Sequence, residues 1–244
     1  MIKIDINCDL GEGVDNEALL MPLISSCNIA CGGHAGNETI MREVVELAKK
    51  HDVKIGAHPS FPDQKNFGRK IMKMSPEGLH DSIYNQVQRL KIILDQQDLP
   101  LHHIKPHGAL YNLAAIDEET ATVIVDVLKR FEPHVLLYAP FQSVVSQIAT
   151  NAGLKVRHEA FADRNYNTDL TLVSRTNPKA LIQDSEQMFE QVYHIISEQK
   201  VTAIDGVEVK LKADTFCVHG DGKNVIKNLK DLILKLEQNS IGIF

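Results

Sequence analysis

The chain has 244 residues, 43% of them hydrophobic, enough for one large core and little reason to divide it into two domains. Lys and Arg total 26 against 32 Asp and Glu, a formal charge of -6, with no block of like charges to serve a nucleic-acid surface. No apolar run approaches the roughly 18 residues of a membrane span, and Asp5 and Asp9 interrupt the opening segment where a signal peptide is apolar, so a cytoplasmic protein is expected.

Strand-like runs and amphipathic helices alternate along the chain. The first run, Lys3 to Cys8, leads to a short helix with Asp15 as its expected N-cap and then to the apolar run CNIAC at 27–31. Asn37 caps a long helix whose apolar face is Ile40, Met41, Val44, Val45, Leu47 and Ala48, and whose last turn carries Lys49, Lys50 and His51. The strand VKIGA ends at His58. Pro59, Pro62 and the polar tip PDQKNFGR then make 59–75 an irregular segment of lid or binding-loop length. Ser75, Pro76 and Glu77 open a helix to about Gln97, and HHIK is a strand that stops at Lys105 and His107.

Asp117 to Glu119 open the next helix, and Lys129 and Arg130 close it. VLLYA is a strand, a helix runs from about Gln142 to Gly153, and KVRHEAFA is a strand that stops at Asp163 and Arg164. Asn177-Pro178 is a further helical start, and Asp184 with Gln187 forms a capping-box pattern for a helix to about Gln199. VTAI-DG-VEVKL predicts a hairpin near 201–211 about a two-residue Asp205-Gly206 turn, an excursion from the sheet. The strand TFCVHG and a helix from about Asn224 to Gln238 finish the alternation. The pattern predicts an α/β fold, a parallel (β/α) barrel of roughly seven strands forming a single domain over 1–244. Neither GxGxxG after the first strand nor GxxxxGK[ST] occurs.

Four apolar runs end in a histidine followed by a small or turn residue, at His34, His58, His107 and His219. In a parallel barrel the carboxyl ends of the strands share one rim, so these imidazoles are expected to converge with Asp9, Glu12, Lys105, Asp163 and Asp221 as catalytic groups. Lys105, Arg69 and Arg164 add positive charge for an oxyanion, carboxylate or phosphate. Asp163-Arg164 is equally readable as a local ion pair. Gly32, Gly33 and Gly36 before Asn37 either bind an anion through backbone N–H groups or make a tight strand-to-helix turn. Any divalent metal is expected on Asp9, His34 and His58. Cys8, Cys27, Cys31 and Cys217 lie in apolar runs without CxxC spacing and read as small buried hydrophobes rather than a redox or zinc site.

Six segments in order, DINCDLGEG (5–13), SCNIACGGHAG (26–36), IGAHPSFPD with FGR (55–69), KPHGALYN (105–112), FADRNY (161–166) and CVHGD (217–221), closely resemble the LamB/YcsF family. The resemblance implies a barrel of the glycoside hydrolase/deacetylase type and ATP-dependent opening of 5-oxoproline to L-glutamate together with 5-oxoprolinase subunits B and C. Two positions depart from the family pattern: Gly33, where an aromatic residue is frequent, and Asn37, where aspartate is frequent. The residues also fit two rival readings, a metal-dependent deacetylase-like hydrolase and a non-catalytic substrate-binding subunit.

Overall fold

Seven parallel strands close into a barrel with helices packed around it; the computed structural model describes residues 2–131 and 133–244. The barrel strands are β1 (Ile2–Leu10), β2 (Ser26–Ala30), β3 (Lys54–His58), β4 (His103–Ile104), β5 (Leu136–Pro140), β6 (Val156–Phe161) and β9 (Thr215–Cys217). Each pairs with the next, and β9 closes the circle on β1 with Thr215 opposite Asp5 and Cys217 opposite Asn7. Eight helices accompany them among the described residues: α1 (Glu17–Leu20), α2 (Glu38–Lys50), α3 (Pro76–Asp95), α4 (Gly108–Ala114), α5 (Glu118–Leu128), α6 (Val144–Asn151), α7 (Ser185–Glu198) and α8 (Val225–Gln238). None is long and apolar enough to cross a membrane.

The caps explain where the long helices begin. Asn37, Ser75, Asp117, Ser143 and Asp184 each accept a backbone N–H from the first turn of α2, α3, α5, α6 and α7, satisfying a donor that the helix itself leaves free. Three expectations need correction. Asp15 has a left-handed φ of 57°, and Asn16, not Asp15, occupies the cap position of α1. Asn177-Pro178 forms a turn in which the Asn177 side chain accepts from Lys179 N–H, so α7 waits for Asp184. The hairpin of β7 (Lys200–Thr202) and β8 (Glu208–Lys210) turns through three residues, Ile204 to Gly206, rather than two. Gly206 alone in that turn takes a positive φ, 87°, as a bulge residue does, whereas a two-residue type I′ turn needs positive φ at both positions. Two elements were not anticipated: α4, directly behind His107, and β10 (Ile241–Ile243), which pairs in parallel with β1 outside the circle.

Each barrel strand has two buried faces of opposite character. On β1, Ile4, Ile6, Cys8 and Leu10 join the apolar core beneath the helices, while Asp5, Asn7 and Asp9, equally buried, point into the lumen. The same alternation sets Cys27 and Ile29 outward and Ser26 and Asn28 inward on β2. The hydrophobic core is therefore the annulus between barrel and helices. The lumen is polar, where barrels of this kind ordinarily stack branched aliphatic side chains. Its floor joins Ser26 and Thr215 to Asp5 Oδ1 at 2.7 and 2.6 Å.

A polar lumen is filled by shape as well as by hydrogen bonds. His103 stacks on Tyr138 with ring centroids 3.8 Å apart and donates to Asn28 Oδ1 at 2.6 Å. Its ring occupies the space beside Gly56, where an added Cβ would lie 2.1 Å from Nε2. Gly56→Ala is expected to cost about 1–3 kcal/mol by overpacking, and each kcal/mol should lower the melting temperature by about 2–4 °C, readable by thermal denaturation followed by circular dichroism.

Candidate active site

The carboxyl rim of the barrel opens onto a cavity of about 760 Å³. Asp9 from β1, His58 from β3, Lys105 and His107 after β4, Glu159 and Phe161 from β6, and His219 after β9 all stand on its wall. Parallel strands make this convergence unavoidable, because every strand delivers its last side chain to the same side.

Lys105 occupies the centre. Its ammonium, 2% exposed, lies 2.9 Å from both Asp9 Oδ1 and Glu159 Oε1 and also donates to Asn7 Oδ1 at 3.2 Å and Cys217 Sγ at 3.1 Å. Burial alone would lower its pKa, but Asp9, Cys217 and Glu159 outweigh burial and hold it well above the ordinary value, so it remains a cation. Burial would likewise raise the Asp9 carboxyl, yet His58 and the Lys105 ammonium keep it well below the usual range. Asn28 donates to Asp9 Oδ1 at 2.7 Å, and Asn7 donates to Glu159 Oε1 at 2.9 Å, so both carboxylates are fixed in place.

On one flank, Glu12 meets three histidines. His34 Nε2 lies 2.7 Å from Glu12 Oε1, His107 Nδ1 lies 3.4 Å from that oxygen, and His58 Nε2 lies 4.0 Å from it. His58 and His107 face each other at 2.9 Å, and Phe67, from the 59–75 segment, packs edge-on against His34 and His107. Burial, reinforced by Asp9, pushes the Glu12 carboxyl up to about 7, and burial pushes the His34 imidazole down to about 4. These four residues offer donor atoms within 4.8 Å of one another, a set whose chemistry admits a divalent cation.

On the opposite flank, Asp163 holds His219. The carboxylate accepts the His219 backbone N–H at 2.8 Å and lies 2.9 Å from Nδ1, which directs the Nδ1 proton at Asp163 and leaves Nε2 as the free nitrogen. Burial lowers the imidazole pKa, but the Asp163 charge and hydrogen bond overcome it and the net shift is upward. At the mouth, Arg69 and Arg175 each reach Asp221 Oδ2 at 3.3 Å. The arrangement offers an oriented imidazole, a fixed central cation and a pair of guanidinium groups around one cavity. That is equipment for proton transfer next to an anionic substrate.

A LamB/YcsF family model matches residues 4–244. The chain belongs to the LamB/YcsF family. Relatives include the 5-oxoprolinase A subunit of Bacillus cytotoxicus, 41% identical over all of this chain and 98% of that protein, and that of Pyrococcus horikoshii, 41% identical over 99% and 97%. The crystal structure of a lactam utilization protein from Thermus thermophilus superposes with a TM-score of 0.92 at 39% identity, covering 99% of each chain.

Within this LamB/YcsF barrel the expected residues take distinct places. Asp9, Glu12, His58, Lys105, His107, His219, Arg69, Arg164 and Asp221 line the cavity, with Asp163 directly behind His219 and His34 buried behind Glu12. Asp163 and Arg164 point to different partners: the Arg164 guanidinium donates to Val173 O at 2.7 Å and Ala180 O at 3.4 Å. Gly33 abuts Gln86 and Ser60, where an added Cβ would lie 2.2 and 2.4 Å from their oxygens. All four cysteines are buried and free, but Cys217 departs from its reading as a plain hydrophobe because it touches the Lys105 ammonium. Sequence reasoning missed Asn7, Asn28 and Arg175. For Asn7 and Asn28 a signal existed, the polar residue at every second position of β1 and β2; Arg175 sits in an irregular segment with no periodicity to expose it.

The His219–Asp163 pair links stability to pH. His219 is raised above its ordinary 6.5 and Asp163 is lowered below its ordinary 3.8, so the pair contributes fully between those two values. Its contribution falls as pH rises above 6.5 through the raised imidazole pKa, and as pH drops below 3.8 through the lowered carboxyl pKa. The melting-temperature gap between wild type and His219→Gln should be widest from about pH 4 to 6.5 and should narrow above neutrality, measured across a buffer series.

Proposed function

We propose that this chain opens the ring of 5-oxoproline to L-glutamate, coupled to ATP hydrolysis, in a complex with 5-oxoprolinase subunits B and C. The observation that carries this reading is the full-length match, at 41% identity, to proteins named as the A subunit of 5-oxoprolinase. The cavity supports it with groups suited to a small anionic lactam.

A lactam carbonyl is deactivated by amide resonance, and phosphorylation of its oxygen removes that protection. Water then adds to the ring carbonyl carbon, and the carbon–nitrogen bond breaks to free the amine. The resulting acyl phosphate yields glutamate and phosphate on reaction with a second water. In this scheme His219 takes the proton from the attacking water through Nε2 and returns it to the departing nitrogen, while Asp163 holds its tautomer. Lys105, held as a cation between Asp9 and Glu159, offsets their charge and so lessens the repulsion a developing oxyanion meets at the cavity floor. The chain has no GxxxxGK[ST] loop, so ATP enters through the family relationship and not through a motif.

Arg69 and Arg175 receive the substrate carboxylate in this reading. Asp221 already sits between them as a carboxylate of the protein's own, and the incoming carboxylate takes its place. Arg164 instead braces the segment carrying Val173, because its guanidinium is engaged by backbone carbonyls.

The deciding assay is 5-oxoproline-dependent formation of ADP and glutamate, by the chain alone and then with subunits B and C. Absence of both products from the complete mixture would refute the proposal. Within that assay His219→Ala should lower kcat by about 100- to 10,000-fold. Arg69→Ala should raise KM by about 10- to 100-fold with a smaller effect on kcat, as expected for a lost charged hydrogen bond. Asp221→Asn separates two roles. As a resident competitor for the arginines its removal leaves kcat intact and lowers KM, whereas a collapse of kcat would mark Asp221 as an acid–base group.

A further inference from the structure

Two histidines on the cavity wall have their protons fixed by the backbone. His58 Nδ1 lies 2.7 Å from the carbonyl oxygen of Lys105, and His107 Nε2 lies 3.0 Å from that of Phe67. A carbonyl oxygen only accepts, so Nδ1 of His58 and Nε2 of His107 carry hydrogen. The remaining nitrogens, His58 Nε2 and His107 Nδ1, therefore present lone pairs. They face each other at 2.9 Å in rings set 85° apart. Two lone pairs at that separation repel unless a cation lies between them, either a proton shared by the pair or a metal ion.

We propose that Glu12, His58 and His107 form a binding site for one first-row divalent metal ion, through Oε1, Nε2 and Nδ1 respectively, with its open position toward the cavity. The three donor–donor separations are 2.9, 3.4 and 4.0 Å. They bracket the edge of about 3.3–3.6 Å expected of a tetrahedron with bonds of about 2.0–2.2 Å. All three residues line the cavity, so a fourth ligand from solvent or substrate has access. Metal-binding imidazoles characteristically give their other N–H to a carbonyl or carboxylate, and both histidines already do so.

His34 and Asp9 take other parts. The His34 ring lies parallel to that of His107, 1° apart in plane and 3.6 Å between centroids. Two parallel stacked rings cannot both direct an in-plane lone pair at one ion. His34 instead steadies Glu12, donating from Nε2 to Oε1 at 2.7 Å. Asp9 Oδ1 is engaged by Lys105 and Asn28, and its Oδ2 stands 3.4 Å from His58 Nε2, next to the site. The ligand set thus differs from the Asp9, His34 and His58 set expected from sequence, keeping only His58. An ion here would polarise an oxygen atom bound at the cavity wall.

The site is tested without substrate, so its failure is separable from failure of the lactam reading. Chelator-stripped full-length protein titrated with Co²⁺ should take up one equivalent with visible d–d absorption, and Zn²⁺ should displace it. His58→Ala and His107→Ala, checked for folding by circular dichroism, should abolish the absorption. His34→Gln should weaken binding by about 10- to 100-fold. His194→Ala, in a separate surface group with Glu198 and Glu208, should change nothing. If the variants do not fold, ¹⁵N spectra of zinc-loaded wild type decide: one imidazole bound through Nδ1 and one through Nε2 are expected. No stoichiometric binding, binding retained in both folded histidine variants, or two imidazoles bound through the same nitrogen type would overturn the site. In that event a shared proton is what joins His58 to His107.

Discussion

The Lys105 ammonium is the constraint on which the rest of this barrel is arranged. A cation taken out of water costs several kcal/mol unless its surroundings restore what hydration supplied. Here the restoration is spread round the circle: the lysine follows β4, and its partners come from β1, β6 and β9 on the far side. The side chain therefore crosses the lumen and ties opposite walls together. Removing Lys105 would leave two carboxylates buried side by side without compensation, so the polar network depends on it.

That network also explains where the hydrophobic core went. With Asp5, Asn7, Asp9, Asn28, His103, Lys105 and Glu159 filling the interior, most apolar burial lies in the layer between strands and helices. The lumen then acts as a rigid polar floor beneath the cavity. Above it the rim divides into two territories on either side of Asp9. One gathers Glu12 with His34 and His107, whose imidazoles burial pushes down, and the other holds His219, whose imidazole its carboxylate partner pushes up. The contrast arises from neighbours, since residues of the same type are pushed in opposite directions by burial on one side and by Asp163 on the other.

Much of this was legible in the sequence, and the reasons for the remainder are physical. Strand-end histidines were readable because an apolar run terminated by a polar residue marks the exit from a barrel, and parallel geometry gathers such exits. Helix starts at Asn37, Ser75, Asp117 and Asp184 were readable because capping is local chemistry. Asp15 and Asn177-Pro178 misled because the same residues that cap helices also make turns, and only tertiary packing chooses between them. Asp-Gly fixed the place of the hairpin but not its length, since the pair suits more than one turn. The polar lumen was hidden for another reason. A strand buried on both faces is expected to be apolar throughout, so the alternating polar residues of β1 and β2 do not by themselves announce an interior. Arg69 and Arg175 meet at Asp221 from positions far apart in the chain, a convergence no local pattern encodes.

Closure of the barrel by β9 on β1 has a consequence for how the molecule is made. The two strands are separated by about two hundred positions, so a growing chain carries β1 with one hydrogen-bonding edge open until nearly the whole protein has emerged. During that interval Asp5, Asn7 and Asp9 face a lumen that lacks one wall, and Asn7 and Lys105 lack the β9 atoms that complete their bonds. The Asp9 carboxylate that later holds Lys105 is meanwhile open to water, and inward charge on an unpaired edge is a feature that discourages pairing with another chain. The same polar residues thus serve twice, first as a guard on an unfinished sheet and then as the floor of the finished site.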